Sequence, residues 1–130
     1  MSDVTIPEGL KYTKDHEWAK IEGGEIVVGI TKFAVDQLGD ITLVNIDAKV
    51  GAEVEEGKAF GSIESVKSVS DLFAPVKGKI TKVNEEVAQK GELINEDPYK
   101  AWLVRIAVSD PKSLDGLLDA AAYEEHTKSA

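Results

Sequence analysis

Short apolar runs, rich in valine and isoleucine and interrupted by glycine, recur at residues 18–21, 25–30, 41–46, 58–64, 69–73, 79–83 and 102–108. Runs of this length with stiff, β-branched side chains predict strands. Gly23-Gly24 separates two of them and predicts a tight hairpin, because both glycines tolerate the positive φ of a two-residue turn. The body therefore reads as antiparallel β.

Two stretches carry helix signals instead. Thr31 can cap residues 32–38, with Gly39 supplying a left-handed stop. Near the C-terminus, Asp110-Pro111 places a capping side chain before a proline, and Leu114, Leu117, Leu118 and Tyr123 recur at helical spacing beyond it. A short echo relates Glu53-Val54-Glu55-Glu56-Gly57 to Glu86-Val87-Ala88-Gln89-Lys90-Gly91; if genuine, it makes two related halves that meet near residues 65–68.

Residues 62–75 fit two patterns. Ile63, Val66, Val69 or Ser70, and Phe73 form a helical stripe, and Ser68 to Asp71 imitates a capping box. The serines, the β-branched residues and Pro75 oppose a helix interior, since their local hydrogen bonding and stiffness favour other backbones. Two strands meeting at Ser65-Val66-Lys67-Ser68 fit better, which puts Lys67 at an exposed apex.

At 130 residues the chain is sized for one domain, expected over residues 1–130, as domains use roughly 150 residues. The balance of 24 acidic and 15 basic side chains gives a net charge of −9, spread along the chain. Such a surface repels nucleic acid and anionic membranes. The absence of cysteine excludes disulfides, thiolate nucleophiles and iron–sulfur ligation. With neither a signal-like N-terminus nor an apolar run of about 18 residues, the expected location is cytoplasmic.

Most catalytic constellations fail on inspection. Gly51 to Lys58 resembles a phosphate loop, but its glycine spacing is wrong, Ala59 replaces the magnesium-binding hydroxyl, and its glutamates repel phosphate. His16-Glu17 begins like a zinc-protease helix, yet Lys20 stands where the second histidine belongs; no metal site is expected. No Gly-x-Ser-x-Gly elbow occurs. The carboxylate pairs Asp15/Glu17, Glu55/Glu56 and Glu85/Glu86 leave a small acid/base hydrolase open as a competing reading, although glutamates beside turns are ordinarily solvated surface. Trp18 and Trp102 read as packing residues, and Asn95-Glu96-Asp97-Pro98 as a turn.

Lysine offers another route. Every basic residue but Arg105 is a lysine, so most are solubilising charges. Lys67 differs because small neighbours, Ser65 and Ser68, leave its amine accessible at a stiff turn, a natural attachment point for a long acyl prosthetic group.

Glu64-Ser65-Val66-Lys67-Ser68, followed by Ser70-Asp71-Leu72-Phe73-Ala74-Pro75-Val76-Lys77-Gly78, resembles the lipoyl-attachment hairpin of the glycine cleavage system H proteins. Tyr12-Thr13-Lys14-Asp15-His16-Glu17-Trp18, Val28-Gly29-Ile30-Thr31, Leu38-Gly39-Asp40-Ile41 and Leu93-Ile94-Asn95-Glu96-Asp97-Pro98-Tyr99 match further motifs of that family in the same order. Biotin carriers typically flank their lysine with methionines, and lipoyl domains of 2-oxoacid dehydrogenases use Asp-Lys-Ala; Val66 and Ser68 fit neither.

The resemblance implies an all-β barrel-sandwich hybrid of two antiparallel sheets with short accessory helices, including one at the C-terminus. It implies a non-catalytic carrier with lipoate covalently attached at Lys67. The carrier would shuttle an aminomethyl group from glycine decarboxylase (P protein) to aminomethyltransferase (T protein), with dihydrolipoamide dehydrogenase (L protein) reoxidising the arm and a lipoate-attaching enzyme loading it. An alternative role is lipoate relay to other lipoyl domains. By motif position Glu17 and Asp71, with Asp15 as a further candidate, would line the cleft that shelters the cationic adduct from water. Phe33 stands where some members have histidine and would add apolar cover. The chain departs from the family at Asp47-Ala48-Lys49-Val50-Gly51, at Gly91 and at Lys100-Ala101-Trp102, which affects loops rather than the hairpin.

Overall fold

The computed structural model describes residues 6–108, 114 and 116–128. Nine strands follow in order: β1 (Lys11–Tyr12), β2 (Glu17–Glu22), β3 (Glu25–Ile30), β4 (Ile41–Ile46), β5 (Glu53–Val54), β6 (Ala59–Ser65), β7 (Val69–Phe73), β8 (Gly78–Val83) and β9 (Val104–Ala107). They form a six-stranded sheet ordered β1-β2-β3-β9-β8-β5 and a three-stranded sheet ordered β4-β6-β7, with every pairing antiparallel. This is the expected all-β sandwich. Four short helices accompany it: α1 (Lys32–Leu38), α2 (Glu85–Gln89), α3 (Glu92–Glu96) and α4 (Ala120–Lys128). No helix among the described residues is long and apolar enough to cross a membrane.

β2 and β3 turn at Gly23 and Gly24, whose φ values of 60° and 81° are those a mirror-image turn demands. Buried side chains of β3, β8 and β9 (Ile26, Val28, Ile80, Val104, Ile106) share one cluster with Val44, Phe60, Ile63 and Leu72 of the smaller sheet. Val27 points the other way, into a second cluster with Tyr12, Trp18 and Tyr123. Covering both faces explains why β3 is continuously apolar rather than alternating. Opposite Trp18 on β3 stands Gly29, where a Cβ would come within 2.5 Å of the indole. The Trp18 Nε1 donates to the Pro98 carbonyl at 3.0 Å, so this tryptophan is core, as expected.

α1 begins at Thr31, whose hydroxyl accepts from the Ala34 amide, and stops at Gly39 with φ 84°. The other helical expectations need correction. Asp110-Pro111 lies outside the described residues. Leu114, Leu117 and Leu118 are not part of α4, because the Leu118 peptide group exchanges hydrogen bonds of 2.7 and 2.9 Å with Tyr12, which commits it to β1. The helix starts beyond it, where the Asp119 carboxylate accepts from the Ala122 amide at 2.8 Å. The echoed segments also diverge: residues 53–57 form β5 and a turn, whereas residues 86–91 run through α2. Asn95, expected in a turn, sits in α3, and its amide side chain bonds both the N–H and the C=O of Ile41 at the outer edge of β4.

Candidate attachment site

β6 and β7 form the hairpin expected over residues 62–75, and Lys67 is exposed at its tip. The turn is held by its own serine. The Ser65 Oγ accepts from the amides of Lys67 (3.2 Å) and Ser68 (3.1 Å), and the Ser65 amide donates to the Ser68 carbonyl at 2.9 Å. From outside, the Asp40 carbonyl accepts from the Val66 amide at 3.1 Å. The aliphatic stem of Lys67 lies alongside Gly39, where a Cβ would meet its Cδ and Cε at 3.6 Å. The backbone of the tip is therefore fixed while the amine is presented to solvent. Gly39 and Asp40 were not singled out as supports from sequence; the Leu-Gly-Asp stop of α1, facing a serine-rich turn, was the available signal.

Glu17 occupies the seam between the sheets. It is 1% exposed at the start of β2, and its Oε2 accepts from the Phe73 amide at 2.7 Å, capping the free edge of β7. Its Oε1 is buried with no hydrogen-bond partner among the described residues. Burial pushes the Glu17 carboxyl up to about 8; the Phe73 amide and, more weakly, the nearby Thr13 side chain oppose that shift, and the Asp15 carboxylate adds to it. Protein interiors rarely leave a carboxyl oxygen unpartnered, so this orphan marks a place where a donor can be received.

Asp71 is exposed on β7, two residues before Phe73 and opposite Ser62. Asp15 is exposed and borders a separate open cleft of about 260 Å³ shared with Tyr12, Glu56 and Pro75. Glu17 and Asp71 are thus linked through one strand, while Asp15 borders that cleft and acts on Glu17 through its charge. Phe33 packs on the His16 ring with centroids 4.7 Å apart. Among the described residues no group of three His, Asp or Glu side chains is placed to hold a metal ion.

Two packed antiparallel sheets define the class as a barrel-sandwich hybrid, and its braced β6-β7 hairpin projects a lysine. The family model described as glycine cleavage H-protein matches residues 10–130. Glycine cleavage system H proteins of Bacillus cereus (strain AH820) and Bacillus anthracis (strain A0248) are each 50% identical over 125 residues, spanning 95% of this chain and 98% of the relative. The crystal structure of a glycine cleavage system H protein from Mycobacterium marinum superposes with a TM-score of 0.86 at 38% identity, covering 95% of this chain and 99% of that one. The chain belongs to the glycine cleavage H-protein family.

Proposed function

We propose that this chain is the lipoylated carrier of a glycine cleavage system, with the prosthetic group in amide linkage to the Nζ of Lys67. Family membership supports the system. The observation that carries the site is the hairpin tip itself, where Ser65 and Asp40 lock the backbone and leave the Lys67 amine exposed. When bound, a lipoyl group supplies a disulfide able to accept and release the aminomethyl unit of glycine.

The residues suit that cargo. β7 runs from beside the tip to Phe73, about 13 Å at the usual rise per strand residue, and so leads from Lys67 to Glu17. An ammonium group reaching the orphaned Glu17 Oε1 would meet a carboxyl that burial, helped by the Asp15 charge, keeps largely protonated at neutral pH. The nearby positive charge lowers that pKa, so the carboxyl releases its proton and pairs with the cation. Burial also keeps water from that pair, which strengthens it and shields the cargo. Asp71 adds negative charge along the same strand. The chain performs no bond chemistry of its own here: it tethers, guides and shelters. Its partners are the P, T and L proteins and the lipoate-attaching enzyme.

Reconstitution with these proteins and labelled bicarbonate tests the proposal. The loaded chain is expected to support exchange of bicarbonate into the glycine carboxyl, and Lys67→Arg to abolish it. Normal loading with no exchange would contradict the shuttle and favour lipoate relay.

A further inference from the structure

Large apolar side chains are exposed at five positions among the described residues, and three of them, Leu43, Val66 and Val69, gather around Lys67. The register explains the grouping. Glu64 of β6 pairs with Leu43 on one side and Val69 on the other, so the three form a row across the smaller sheet. The next row, Val44, Ile63 and Ser70, turns toward the core, and the row after it, Asn45, Ser62 and Asp71, faces outward again. The outward rows thus combine apolar side chains with two ionisable groups, Glu64 and Asp71, both acidic. Asp40, whose carbonyl braces Val66, brings a third carboxylate to the tip; it and Asp71 are exposed, and Glu64 is half-buried. Scattered apolar residues on a surface are unremarkable, but a cluster rimmed by one sign of charge marks a contact area.

We propose that this outer face of the β4-β6-β7 sheet docks the enzyme that acylates Lys67, through a partner surface that pairs apolar side chains with lysine or arginine. The inference rests on the reading of Lys67 as the attachment site. Reach selects the occupant. Before loading, the amine extends no farther than its own four-carbon stem, so the acylating centre must close over the hairpin and the rows beside it. Enzymes that later act on the far end of an acyl arm are free of that constraint.

Charge selects it too. In the attachment step the Nζ lone pair attacks the carbonyl of an activated lipoyl donor, an acyl–phosphate anhydride. The C–N bond forms, the C–O bond to phosphate breaks with its electron pair leaving on the phosphate, and two protons depart from the original ammonium. A centre that holds such an anionic donor presents cationic groups at its mouth, which Asp40, Glu64 and Asp71 complement.

The test measures lipoylation of the full-length apo chain by a lipoate-attaching enzyme supplied with lipoate and ATP, following the mass increment at varied chain concentration. The double substitution Leu43→Ser with Val69→Ser is expected to raise KM about tenfold with kcat little changed, consistent with the loss of two apolar contacts. Ile21→Ser, at an exposed position on the other sheet, is expected to match the parent chain. Val66→Ser, at the turn, gives an independent reading should the double variant fail to fold. An unchanged KM, or an equal rise in Ile21→Ser, overturns the proposal. So does normal loading followed by failure only with glycine decarboxylase, or a dimer of the parent chain in sedimentation that the double variant dissociates. If the parent chain gains no mass while a known lipoyl domain in the same tube is modified, it is the assignment of Lys67 that falls.

Discussion

At the scale of single residues, Glu17 carries the sharpest consequence. Its carboxyl is raised from 4.5 to about 8 in the folded chain, so the folded state holds a proton that the unfolded state releases. Stability from this group is fully present below pH 4.5 and is lost as pH rises toward 8. Glu17→Gln should remove that loss, and the gap between parent and variant in urea midpoint should change by the equivalent of a few kcal/mol across the interval. Parallel pH profiles would contradict the burial-driven shift. Gly29→Ala places a Cβ against the Trp18 ring and should cost about 1–3 kcal/mol in denaturant unfolding. Neither effect was legible from sequence. Resemblance pointed to Glu17, but β2 buries Glu17, Trp18 and Ala19 in succession, so no alternation betrays the depth of the carboxyl.

Among the elements, the C-terminal helix is held by aromatic contacts spanning most of the chain. Tyr12 and Tyr123 stack at 4.7 Å, and the Tyr123 hydroxyl bridges His16 Nδ1 at 2.8 Å and the Thr31 hydroxyl at 2.7 Å. His16, at φ 69°, also faces Phe33 and the ring of His126, and feels the negative charge of Asp15. Burial, then His126, lowers the His16 pKa, while Asp15 opposes them. The unfolded chain therefore takes up this proton first, and stability falls as pH drops below about 6.5. His16→Asn tolerates the left-handed backbone and should flatten that acid limb of the stability profile; an unaltered slope would contradict the account. The effect has the opposite sign to that of Glu17, which both proteins share and which cancels in their difference. The seven longer strands and α1 were readable because β-branched runs, paired glycines and a threonine cap each act locally. The two-residue β1 and β5 are set by tertiary pairing alone. α2, α3 and the start of α4 were misjudged because packing on β4 and the Leu118 bridge to Tyr12 outweighed local pattern.

For the molecule as a whole, both sheets build the core, the larger one supplies the buried carboxyl, and the smaller one projects the lysine. β7 connects the two through Phe73 and Glu17. The β6-β7 hairpin was legible in advance since its serines, β-branched residues and proline disfavour a helix on chemical grounds. The edge contact from Glu17 to β7 joins positions 17 and 73, and that distance in sequence hid it. The most direct test of the account is peptide mapping of the chain isolated from cells that attach lipoate to other proteins. The predicted result is a lipoyl increment on the peptide containing Lys67, absent from the Lys67→Arg variant. An unmodified Lys67, or an increment on a different lysine, would contradict it.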